Sequence, residues 1–186
     1  MDKERLKTFN DAVVAIIITL MVLDIKLPAM TAAGLADLLR HLFAYAISFF
    51  TIAIGWVNLQ LLFNECRKLT ARIIWLDLLL LFFLSLLPLP TLALGEHFSA
   101  PSSHVFFGLV QLLVSLVFKV LIHAIERDAH AAKAHKSARE KRLDTITIVV
   151  YTASMGLCYV SVYLSTLLFL IPPVIYFPAA WRRQVW

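Results

Sequence analysis

Side chains able to do chemistry are few in this sequence, and several stand where a polar group is costly. Arg5, Asn10 and Asp11 lie at the entrance to an apolar run over 12–23, and Asp77 interrupts a second such run. A carboxylate at membrane depth needs a partner. Arg5 or a polar group on a neighbouring helix would serve Asp11, although an acid early in a helix also suits the positive end of the helix dipole. For Asp77 the expected partner is Arg72 near the interface, or Arg5. The histidines, His41, His97, His104, His123, His130 and His135, are scattered, with no H-E-x-x-H or Cys/His spacing for a metal. No glycine-rich phosphate loop or G-x-S-x-G elbow occurs. No enzyme activity, cofactor or metal is therefore expected.

The elements that must carry these residues follow from composition. Of 186 residues, 61% are apolar and 16% charged, against roughly 45–50% and about 25% in an ordinary soluble domain. That balance predicts an all-α, polytopic membrane protein forming a single transmembrane domain over 1–186. A hydrocarbon layer about 30 Å thick takes roughly 20 helical residues to cross, and cutting the chain at its charged clusters gives six helices: 9–27, 42–63, 73–94, 105–125, 145–161 and 164–180. Pro88 and Pro90 predict that the third span kinks near its far end. The final apolar stretch, 145–180, has no charge and is long enough for two short crossings, with a turn expected near 161–165. The first span does not read as a cleaved signal peptide, because it bears Asp11 and Asp24 and offers no small-residue cleavage site before Lys26.

Basic residues orient these spans. Of the 17 lysines and arginines, Lys26 and Arg40 fall on one side and Lys119 inside the fourth span. All the others fall on the opposite side, in the N-terminal segment, around Arg67 and Arg72, in the loop 126–144 and at Arg182 and Arg183. The positive-inside rule then places both termini in the cytoplasm of a cell-membrane protein. The net charge of +5 is read by this placement and not as a nucleic-acid footprint. The stretch 133–142 is rich in helix formers; it reads as a solvated basic loop near lipid headgroups or as an extension of the fourth helix. Cys66 and Cys158 are expected to be reduced.

Within the first helix, Ile16, Thr19, Leu20 and Leu23 have the spacing of one helical face. Any apolar helix has such a stripe. Lipid or helix packing accounts for it unless something else points to a pore.

A resemblance does. The segment RLKTFNDAVVAIIITLMVLDIKLP resembles the R-x-x-x-F-S-D-x-x-F-A-I-x-I-T-L-L signature of the bacterial TMEM175 potassium-channel family, with Arg5, Phe9, Asp11, Ala15, Ile16, Ile18, Thr19 and Leu20 in place. The stretch from Trp75 to Glu96 is similar to the family's W-x-N-L-L-F-L-x-x-x-S-L-L-P-F-P-T segment, and Ser48, Phe49, Trp56, Val57 and Asn58 resemble its second helix. Asn10 stands for the signature serine, Val14 for a phenylalanine and Asp77 for an asparagine, and Leu59 and Gln60 occupy positions where the family tends to carry histidine.

The resemblance implies a homotetramer of six-helix chains in a lipid bilayer, conducting K⁺ along an axis lined by the first helix. Ile16 would then form the constriction, Leu20 and Leu23 wider rings, and Thr19 a hydroxyl contributing to selectivity over sodium. Arg5, Phe9, Asn10, Asp11, Trp56, Asn58 and Asp77 would form a structural and gating network. The competing readings are a proton channel or proton-coupled transporter using the intramembrane acids, and, with less support, an inverted-repeat transporter. Asp24, at the outer end of the first helix, reads as a solvated helix end or as a cation attractor.

Overall fold

The computed structural model describes residues 2–66, 68–128 and 138–184, and among these the chain is all helix with no strand. The segments are α1 (Lys3–Leu23), α2 (Ala32–Glu65), α3 (Ala71–Ser85), α4 (Pro88–Glu96), α5 (Pro101–Asp128), α6 (Ala138–Leu157) and α7 (Val162–Gln184). Taking α3 and α4 as one broken rod gives six helices. Four are long and apolar enough to cross a membrane, Lys3–Leu23, Ala32–Asn64, Ala71–Glu96 and Pro101–Arg127. The apolar parts of the last two are shorter, Thr145–Leu157 and Val162–Tyr176.

Local chemistry sets several boundaries. Thr31 caps α2 by accepting from the Gly34 N–H at 3.2 Å, and Thr70 caps α3 by accepting from Ile73 at 3.4 Å. Between α3 and α4 the ladder tightens: the Leu86 N–H reaches Phe83 O and that of Leu87 reaches Leu84 O. Pro88, which has no N–H to give, then opens α4.

Helix α2 begins ten residues before the expected 42. Asp37 and Arg40, which precede the expected start, pair at 2.9 Å across one turn of the helix. At 34 residues, α2 is roughly 50 Å long and outreaches the hydrocarbon layer. Helix α1 is likewise displaced toward the N-terminus of the expected 9–27, ending at Leu23 before Lys26 and Pro28.

The last two helices part earlier than expected. Their break covers 158–161, where the Ser161 N–H still bonds Leu157 O, and the Ser161 hydroxyl accepts from the Leu164 N–H at 3.5 Å, starting α7. Of the basic loop expected over 126–144, residues 126–128 end α5 and 138–144 open α6. The C-terminal part of 133–142 thus extends the fifth span and not the fourth; residues 129–137 lie outside the described residues.

Two apolar clusters hold the bundle. One joins α1, α2, α3 and α5 through Leu6, Val14, Ile17, Ile52, Leu80, Leu81, Val110 and Leu121. The other joins α2, α4, α5, α6 and α7 through Ala44, Ile47, Leu94, Phe107, Tyr151 and Phe169, with the Phe107 and Phe169 rings 4.8 Å apart. Cys66 and Cys158 are buried and form no disulfide.

Candidate functional site

Helix α1 has two faces of opposite character. Leu6, Asn10, Val14, Ile17 and Met21 recur at spacings of three and four and are buried against α2 and α3. The opposite face carries Phe9, Ile16, Thr19, Leu20 and Leu23, all exposed in the single chain, with Ile16 at 58% and Leu23 at 70%. Thr19 turns its hydroxyl back to Ala15 O at 2.8 Å. Having donated to Ala15 O, the hydroxyl oxygen keeps its acceptor capacity.

The buried face is tied down by polar contacts. The Asn10 side-chain N–H donates to Asp77 Oδ1 on α3 at 3.1 Å, and both residues are fully buried. Asn10 Oδ1 and Asp77 Oδ2 remain without a partner among the described residues. Asp77 is thus bound to neither Arg72 nor Arg5, contrary to expectation. Both arginines are exposed, and a long cationic side chain gains more by staying hydrated than by entering an apolar interface.

Asp11 finds its partners on α2. The Trp56 indole N–H reaches Asp11 Oδ1 at 2.7 Å, and the Gln60 amide reaches the same oxygen at 2.6 Å. Two neutral donors therefore hold this carboxylate, and Arg5 does not. Among the described residues Arg5 has no ion-pair partner, and Phe9 lies on the exposed side. Asn58, two residues after Trp56, lines a cavity between the helices.

Contacts at the start of α1 add to these and follow from no motif in the sequence. Lys3 donates to Phe63 O and Cys66 O, at the C-terminal end of α2, where the helix dipole favours a cation. Lys7 donates to Asn64 Oδ1 at 2.6 Å. The sequence signal for them is the run of basic residues before Phe9, which sets topology and also docks the helix. Together with the Asp11 contacts, these bonds fix α1 on α2 along one edge and leave the Ile16–Leu23 stripe free.

Comparison with known proteins bears on what such a helix does. The family model described as endosomal/lysosomal potassium channel TMEM175 matches residues 5–88. A potassium channel of Chryseobacterium sp. (strain P1-3) is 33% identical over 181 residues, covering 92% of this chain and 94% of that protein. A potassium channel of Streptomyces collinus is 31% identical over 170 residues, covering 84% of this chain and 82% of that one. The crystal structure of a lysosomal potassium-selective channel TMEM175 homolog from Chamaesiphon minutus superposes with a TM-score of 0.81 at 24% identity, covering 96% of this chain and 97% of that one. The shared signature around Arg5, Asp11 and Thr19, the helical architecture and the near full-length match together place this chain in the TMEM175 family.

Proposed function

We propose that the protein is a potassium channel in which four copies surround an axis lined by α1, in the cell membrane with both termini in the cytoplasm. The observation that carries this reading is the exposed stripe of Ile16, Thr19, Leu20 and Leu23 on a helix whose other face is sealed by packing and polar bonds. Relatives named as potassium channels support it. Four copies of α1 brought together on that stripe make an apolar conduit, with Ile16 as its narrowest ring.

A ring of isoleucines replaces none of the water an ion sheds. Passage therefore requires partial dehydration, or widening and wetting of the ring, and the closed state is a dewetted constriction. K⁺ is more weakly hydrated than Na⁺ and loses less, so selectivity favours K⁺ modestly. The Thr19 hydroxyls, just beyond the ring, lower the barrier for a partly stripped ion. Of the expected network, Asn10, Asp11, Trp56 and Asp77 act on the pore helix and not on the ion, holding α1 against α2 and α3, while Arg5 and Phe9 face neighbouring copies; Asn58, which bonds to no described residue, stands outside it.

Reversal potentials of the purified protein in planar bilayers test the reading. The potential moves with the K⁺ gradient under a K⁺/Na⁺ gradient and stays put under a pH gradient. A potential that follows pH replaces the K⁺ reading with the proton one.

A further inference from the structure

Between α1, α2, α3, α5, α6 and α7 lies a cavity of about 100 Å³, away from the Ile16 stripe. Its walls are mostly apolar, with Leu80, Leu84, Val114, Phe118 and Pro172 among them, and a Cβ added at Gly55 would meet nothing within 4 Å. Most of its polar groups are already used. Thr51, Ser115 and Thr147 turn their hydroxyls to carbonyls of their own helices, and the Trp56 N–H is spent on Asp11.

Of its side-chain nitrogen donors, two are left over. Asn58 and Lys119 line the same cavity, and neither bonds to any described residue. Lys119 is exposed at the bundle surface. Each sits within the last three turns of its helix, α2 or α5, so both lie toward the same end of the bundle. A lysine inside a membrane span is costly unless it finds a counter-charge or snorkels to the interface. A small soluble anion would gain nothing from the apolar walls. A lipid gains from both parts.

We propose that this cavity is a binding site for an anionic phospholipid of the surrounding bilayer, its phosphate held by Lys119 and Asn58 and part of one acyl chain lying among Leu80, Leu84, Val114 and Pro172. Basic pockets between transmembrane helices take lipid headgroups on this principle. The site is separate from the pore and does not depend on the potassium reading.

Trp56 lines the cavity and reports on it. The test uses full-length protein carrying Trp75→Phe, Trp181→Phe and Trp186→Phe, reconstituted in phosphatidylcholine with either dibrominated phosphatidylglycerol or dibrominated phosphatidylcholine at equal mole fraction. The anionic lipid occupies the site about fivefold more than its mole fraction implies and quenches Trp56 accordingly. Lys119→Met abolishes the preference, and Lys119→Arg keeps it. Gly55→Leu, whose Cβ enters open space in the cavity wall, reduces quenching by both lipids. Equal quenching by the two lipids in the parent protein overturns the proposal, as does a preference that survives Lys119→Met in protein of unchanged oligomeric state.

Discussion

Asn10 on α1 and Asp77 on α3 are joined by one hydrogen bond, 3.1 Å long and wholly buried, while Asn10 Oδ1 and Asp77 Oδ2 bond to nothing described. This pair fastens α1 to α3. It also carries unsatisfied acceptors, which cost free energy wherever they are sealed from water. Replacing Asp77 by an amide removes the carboxylate and supplies an N–H for Asn10 Oδ1. Asp77→Asn should therefore leave the melting temperature in detergent unchanged or raise it, whereas Asn10→Ala, which strands the Asp77 carboxylate, should lose about 2 kcal/mol. A marked loss from Asp77→Asn would show that the carboxylate has a partner beyond Asn10.

Arg5 stands apart from this network. It is exposed and forms no ion pair with a described residue, so its place in the family signature points to a contact between copies. Arg5→Ala is expected to leave helical content intact while shifting the protein toward smaller assemblies in size-exclusion chromatography with light scattering. Ion preference should change little. An Arg5→Ala protein that assembles as the parent does would remove Arg5 from the inter-subunit role.

Thr19 offers the only hydroxyl on the stripe, and it donates to Ala15 O while its oxygen remains free to accept. Thr19→Ala should reduce the K⁺ over Na⁺ preference without abolishing conductance, and Thr19→Ser should retain it. Bi-ionic reversal potentials of the three proteins check this. Identical values for Thr19→Ala and parent would assign selectivity to the isoleucine ring alone.

Asp11 holds α1 to α2 through Trp56 and Gln60. Gln60→Leu removes one of two donors to the same oxygen and should cost about 1 kcal/mol. Asp11→Ala loses both bonds and should destabilise by more. Thermal unfolding in matched detergent orders the two, and the reverse order would contradict the geometry.

Much of the framework was legible in the sequence because it rests on composition and on local breakers. Apolar runs gave the helical class, and Pro88 and Pro90 stand at the break between α3 and α4. The polar pairing was not read correctly. Asp77 was matched with arginines because opposite charges attract, yet Asn10 lies on the stripe of Leu6, Val14, Ile17 and Met21, whose spacing marks a buried face. That periodicity was available, and it would have brought Asn10 inward. The docking of Lys3 and Lys7 on the end of α2 was not readable, since it depends on which helix ends meet. The early start of α2 was masked by Asp37 and Arg40, whose pairing is visible only once the helix is built.

The most direct test of the isoleucine constriction places a cysteine at position 16. In a Cys66→Ala, Cys158→Ala background, Ile16→Cys channels in planar bilayers should be blocked by Cd²⁺, because several copies of one thiolate converge at the narrowest ring. Ile17→Cys, on the buried face, should be unaffected. Ile16→Cys currents that ignore Cd²⁺ while remaining potassium-selective would contradict the assignment of Ile16 to the pore.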